Sequence, residues 1–439
     1  MSALRRPAPG RRPQDAHGIP LSGANAAAAT AYERALAASR NWRVDAGAQL
    51  EHALRESPRF VMAHALRAYL LVCGRDPRGY RAARPVLDAA QQWPADRYER
   101  LHLAAIGAAL DDDLARMRAC LDELLHARPH DLLALQVAQS IDYMTGDFVR
   151  MAMCADATLR RLPAALPGYG PALAMHAFAL VENGDAGRAE QGALHALALD
   201  PLNARAHHAM AHVFEMSDRP EDGLRWMEAH HAAWSCGTTF TTHGWWHTAL
   251  FHLARQDIGA ALAVYDRRIC GPRAPALSDL IDAVSLLWRI RLQGHAVGAR
   301  AAQLAAAWEP HADDRSCTFA DVHAMLAFGL AGDGARAERL EATLVRSAAR
   351  PTRHGATTRG LGLPAVRALR AFVRGDMMVA IPLLASLPPI AHRLGGSHAQ
   401  RDVLHLTLLA AIEGVRRPGR SHALRAPSAA VRPRAATLA

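Results

Sequence analysis

The chain is expected to be all-α, an array of helix–turn–helix repeats, and three observations carry that expectation. Alanine dominates an apolar content of 51%, while aromatic residues make up 5%; alanine has the highest helix propensity and lets helices approach closely. The two-residue alternation of a β-strand is essentially absent from the sequence. A turn joint also recurs: TGD at Thr145, NGD at Asn183, SDR at Ser217, RQD at Arg255, LQG at Leu292, AGD at Ala331 and RGD at Arg374. Second residues of successive joints lie 34 to 43 residues apart, and a period near 34 is that of a tetratricopeptide-like unit. The fold class read from the sequence is therefore a tetratricopeptide-like right-handed α-solenoid.

Taken in order, residues 1–22 set four arginines against Asp15 in a Pro- and Gly-rich stretch, the composition of a disordered basic N-terminal tail. Residues 23–414 carry the solenoid. Its most regular unit is PALAMHAFALVENGDAGRAEQGALHALALDP, from Pro171 to Pro201, with small residues where two helices touch and Gly-Asp at the turn. Residues 415–439 add six arginines and no acid among Pro and Ala, a second disordered tail. The tails hold nearly all of the net charge of +10. A near-neutral body argues against a folded basic groove, so no specific nucleic-acid partner is expected. The six cysteines form no CxxC pair, which fits reduced thiols in a cytoplasmic protein. Neither a secretory signal nor an apolar run of spanning length is apparent, and no membrane partner is expected.

In such an array the first helix of each unit lines the concave face, so function is read from what those helices present. With Ala204 as the first residue of one unit, His208, His212 and Glu215 fall at groove-facing positions 5, 9 and 12. With Thr242 opening the next, His243 and His247 fall at positions 2 and 6, and Trp246 stands beside them. These five polar residues are the candidate catalytic set. His102 and His323 map to groove positions of other units, and His176 maps to packing. Four readings suit the histidines: hydrogen-bonded lining of a wet groove, a small anionic or polar ligand site, an acid–base site with Glu215, or a bound metal. HxxxH places two imidazoles on one helical face, which suits a transition metal such as zinc, although the expectation with no cofactor is simpler. HExxH, P-loop, GxSxG and GxGxxG patterns are all absent.

Two further segments attract attention. Asp279 and Asp282 open a helix, where carboxylates complement the N-terminal dipole, and a structural role is expected for them. LGGSHAQRD, from Leu394 to Asp402, either offers backbone N–H groups to an anion or ties the end of the array together through Gln400, Arg401 and Asp402.

Several blocks resemble the tetratricopeptide repeat protein 38 family: FVMAHAL from Phe60, RYERLHLAA from Arg97, DLLAL from Asp131, AHVFEM from Ala211, HGWWHTALF from His243, YD at Tyr265, DAVSLLWRI from Asp282 and GGSHAQRD from Gly395. The resemblance runs in order from about residue 25 to about residue 412 and leaves the tails outside. It implies an all-helical repeat protein and brings no catalytic residues with it. The matching positions include His64, His102, Trp246, His323, Gln400, Arg401 and Asp402, which are taken as ligand-binding candidates.

The function expected from these features is an interaction protein whose His-lined concave groove binds a peptide, a protein segment or a small polar ligand. The alternative is an enzyme, hydrolytic or metal-dependent, that uses the same histidines and glutamate. An interaction scaffold needs an open, elongated groove, whereas an enzyme needs a closed pocket in which the imidazoles converge.

Overall fold

The computed structural model describes residues 13–416, apart from Arg75, 271–274, 313, 315 and 316. The tails expected over 1–12 and 417–439 lie outside the described residues. Helices come in packed pairs: α1 (Ala26–Arg40) with α2 (Ala46–Glu56), α3 (Val61–Val72) with α4 (Pro77–Ala90), and α5 (Arg97–Leu110) with α6 (Leu114–Ala127). Next come α7 (Leu132–Thr145) with α8 (Phe148–Leu159), α9 (Tyr169–Glu182) with α10 (Ala186–Leu199), and α11 (Ala204–Met216) with α12 (Pro220–Ala229). A short α13 (His231–Ser235) precedes α14 (Thr241–Ala254) with α15 (Ile258–Val264) and α16 (Leu277–Leu292) with α17 (Arg300–Trp308). The pair α18 (Thr318–Ala331) and α19 (Gly334–Ala348), a short α20 (Arg353–Thr357), and the pair α21 (Leu363–Arg374) and α22 (Met377–Ala385) lead to a closing helix, α23 (His398–Arg416). Among the described residues there is no β-strand, only two isolated bridges.

The recurring joint has a direct physical reading. Its middle residue takes a left-handed backbone, with φ of 73° at Gly146, 85° at Gly184 and 61° at Gln256, which ends the first helix and lets the chain reverse. The aspartate that follows caps the second helix. Asp147, Asp185, Asp257, Asp333 and Asp376 each accept a hydrogen bond from the backbone N–H three residues on, satisfying a donor that the first turn leaves free. Small side chains then let paired helices meet closely: Ala177 of α9 and Ala193 of α10 are both fully buried. No single described helix is long and apolar enough to cross a membrane.

Contacts distant in sequence close the array. The α1–α2 turn pairs with the segment before α14: Thr239 N–H donates to the Trp42 carbonyl at 2.7 Å, and Val44 N–H to that of Gly237 at 3.1 Å. At the other end, Tyr143 on α7 donates to Gln400 on α23 at 2.8 Å. His354 N–H donates to Asp112 Oδ2 at 3.0 Å across a third junction. The N-terminal boundary also moves. Residues 13–22, assigned to a tail by composition, pack onto the body: Leu21 is 1% exposed, Asp15 accepts from the N–H groups of His17 and Ile19, and Ser22 N–H donates to buried Glu99. Proline and charge near a terminus do not prevent packing when one apolar side chain finds a core and the turn satisfies its own donors.

Candidate metal centre and its pocket

The middle of α11 and the first two turns of α14 come together where α9, α16 and α23 converge. Asn203 caps α11 by accepting from Ala206 N–H, so the first turn is held and His208 and His212 point to one side. One ring nitrogen from each of His208, His212, His243 and His247 lies within 4.8 Å of the others. The Nε2 atoms of His208 and His212 stand 3.0 Å apart. At that distance one ring donates a hydrogen bond to the other; two donors bound to one ion at about 2.1 Å and a tetrahedral angle are about 3.4 Å apart, so an ion would replace that bond with little movement of the rings.

Carboxylates stand behind three of the four rings. His243 Nδ1 donates to Asp282 Oδ2 at 2.7 Å. Glu182 Oε1 lies 3.5 Å from His212 Nδ1, and Glu215 Oε2 lies 3.6 Å from His247 Nδ1. These acids are themselves anchored. Gln400 donates to Asp282 at 3.1 Å, His398 N–H donates to Glu182 at 2.8 Å, and Arg401 lies 3.7 Å from Glu182. Of the three contacts only that of Asp282 on His243 is a hydrogen bond, the arrangement that fixes an imidazole's tautomer and raises its basicity in the outer shell of a metal-bound histidine.

The polar arithmetic of the cluster also suits a cation. His212 and His247 are fully buried. His212 Nδ1, both ring nitrogens of His247 and Glu215 Oε2 make no hydrogen bond, a costly condition in a dry interior. Burial, reinforced by the neighbouring imidazoles, holds His208, His212 and His247 well below the usual histidine range, so all three are neutral at pH 7, with the Nε2 atoms of His208 and His212 engaged with each other. Burial pushes Glu215 up to about 8, against the pull of Arg289. It pushes Glu182 up to about 7, against Arg401. A divalent ion among the rings would add positive charge near both carboxyls.

A cavity of about 720 Å³ opens onto the cluster, and His208, His243 and Asp282 form part of its wall. Trp42, Phe178 and Phe240 surround His208, with ring centroids at 5.2, 4.9 and 5.2 Å. Trp42 reaches this place from a left-handed backbone, φ 53°, rare for a bulky residue and costing on the order of 1–2 kcal/mol. Its carbonyl bond to Thr239 holds it there.

The other expected residues separate into three groups. Gln400 lines the cavity, and Arg401 braces Glu182. Asp402 acts through charge on Arg289 and Glu215. Trp246 is fully buried, stacks on His243 at 5.0 Å and donates to Ser285 Oγ; it supports the ring and is not a ligand wall. His64, His102 and His323 lie away from the cavity, which corrects their expected place. His64 bonds the Pro58 carbonyl and packs on Trp93. His102 is buried between Tyr69 and Asp131, and His323 is buried with Nδ1 on the Phe319 carbonyl. The helix-dipole role holds for Asp279, which accepts from Ala276 N–H, but Asp282 instead orients His243. Sequence reasoning missed Asp282, Glu182, Trp42 and Arg205. Glu182 was findable, because it occupies position 12 of the unit opening at Pro171, as Glu215 does in the next unit.

No family model matches the chain.

Proposed function

We propose that the protein is a metal-dependent enzyme, hydrolytic in class, with a divalent transition metal such as zinc held by His208, His212, His243 and His247. The observation that carries this reading is four imidazoles whose ring nitrogens converge within 4.8 Å of one another, with both nitrogens of His247 free of any hydrogen bond and an acidic side chain within 3.6 Å of three of the rings. When bound, such an ion polarises a carbonyl or phosphoryl oxygen and activates water near neutral pH. The chain's own residues do the rest. Asp282 keeps His243 in one tautomer, Gln400 and Tyr143 hold Asp282 in place, and Trp42, Phe178 and Phe240 limit water at the open side. A peptide-binding groove draws less support, because residues far apart in sequence, from Trp42 to Gln400, line one cavity with His208 and His243 in its wall.

The finer fold reading belongs to the same proposal: helix pairs forming a tetratricopeptide-like right-handed α-solenoid, in a member of the tetratricopeptide repeat protein 38 family. Capped joints at a regular spacing and the order of the matching blocks support it. Six free cysteines favour a reducing, cytoplasmic setting.

The test is metal analysis of protein made without a histidine tag and loaded with zinc, followed by assay against 4-nitrophenyl acetate, 4-nitrophenyl phosphate and an N-acyl amino acid. About one ion per chain is expected, with loss of binding in both H247Q and H243Q while helicity is kept. A stoichiometry near zero in the loaded wild type overturns the metal centre. A loaded protein inert toward all three probes returns the site to ligand binding.

A further inference from the structure

Arg205 opens the first turn of α11, three residues before His208, and lines the same cavity. Its guanidinium lies 4.3 Å above the Trp42 ring, and the same indole makes an edge contact with the cluster at His208, ring centroids 5.2 Å apart. Its Nε donates to the Arg40 carbonyl. Among the described residues its terminal nitrogens make no hydrogen bond, and no carboxylate lies within ion-pair distance.

The other charged groups of the cavity wall are committed. Arg43 donates to the Cys236 carbonyl at 3.0 Å, Asp279 caps α16, and Asp282 serves His243 and Gln400. Burial is the sole influence on the Arg205 guanidinium, pulling it down to about 9. It remains a cation at pH 7, part-buried, with no counter-ion. A guanidinium in that position, with its fork of terminal N–H groups free, is built to receive a planar oxyanion. The flanking Trp42, Phe178 and Phe240 rings offer flat apolar walls and no competing negative charge.

We propose that the pocket receives a small organic carboxylate, its anionic group paired with Arg205 and its apolar body against Trp42, so that the far end of the molecule reaches His208 and His243. The inference depends on the metal reading only for what that far end meets. Arg205 is a binding residue here, setting which molecules enter and how they are turned.

Calorimetric titration with 3-phenylpropionate and its neutral isostere 3-phenylpropionamide tests the assignment on four samples: zinc-loaded wild type, metal-stripped wild type, R205Q and R205K. The carboxylate is expected to bind about tenfold more tightly than the amide in both wild-type samples, the size of one charge-assisted hydrogen bond. R205Q erases the preference with zinc content and thermal midpoint unchanged, and R205K keeps part of it. A preference that survives in R205Q, or vanishes on stripping the metal, places the anion on the ion and overturns the role of Arg205. Failure of the wild type to prefer the acid overturns it as well. Zinc binding without that preference leaves the metal centre standing alone, whereas an Arg205-dependent preference in a chain that takes no zinc removes the metal centre and keeps the anion site.

Discussion

Asp282 accepts a hydrogen bond from His243 Nδ1 at 2.7 Å, and an acceptor-only carboxylate at that distance leaves Nε2 of the same ring as the free lone pair. The aspartate sits on α16 and the histidine on α14, so the packing of two neighbouring units decides the tautomer. Replacing Asp282 by Asn keeps the shape and removes the charge. D282N is expected to lower zinc affinity about 10- to 100-fold with the helical spectrum unchanged, read by competition with a chromophoric chelator.

Ion binding is expected to stabilise the fold, since unfolding scatters the four ligands. Free zinc at about a hundredfold over its dissociation constant adds about 2.7 kcal/mol to unfolding. Denaturant midpoints with and without chelator measure the gain. In H212Q the two curves are expected to coincide.

Acid sensitivity of the metal-free protein should reflect buried neutral histidines outside the cluster. His207 and His323 are each lowered from 6.5 to about 4, first by burial. Above pH 6.5 both states leave them neutral. As pH falls toward 4 only the unfolded chain takes the proton, so stability declines across that window. Glu182 and Glu215, raised to about 7 and about 8, act in the opposite sense, losing stability as pH rises from 4.5 through those values. The clean readout is therefore a difference: H207Q should show a shallower fall in urea midpoint between pH 6.5 and pH 4 than the parent.

Gly146 carries two constraints and Gly184 only one. Both have positive φ, but a Cβ on Gly146 stands 1.9 Å from the His392 carbonyl oxygen, while one on Gly184 meets nothing within 4 Å. G184A is expected to cost about 1–2 kcal/mol, the left-handed penalty alone. G146A should cost more and loosen the 388–394 segment from α7, giving faster protease cleavage there. Equal losses in the two variants count against the closure described above.

The local layer of this architecture was legible because it is written in short-range terms. The Gly-Asp joint encodes a left-handed reversal and a cap within three residues, and position counting from it put His208, His212, His243 and His247 on one face. Glu182 needed only the same count applied one unit earlier. Asp282 was misread because it was grouped with Asp279, a first-turn carboxylate that already has a sufficient local explanation, although it lies one turn further into α16. His64, His102 and His323 were misplaced where position counting met irregular units. Nothing local announces that Trp42 binds Thr239, 197 residues on, or that Tyr143 meets Gln400 across 257. Those contacts depend on the stacking of many helix pairs in space, and so did the cavity that gathers residues from both ends of the described chain.

The Tyr143–Gln400–Asp282 chain gives the site an order of birth. All four imidazoles leave the ribosome within a stretch of 40 residues, from His208 to His247, yet the side chain that steadies Asp282 is made more than 150 residues later. Until α23 is made, Asp282 is without its Gln400 donor and Glu182 without His398 and Arg401. Completion of α23 then seats Gln400. A chain stopped short of the last helix carries the four ligands and the cavity wall apart from Gln400, but not the donors that fix Asp282 and Glu182.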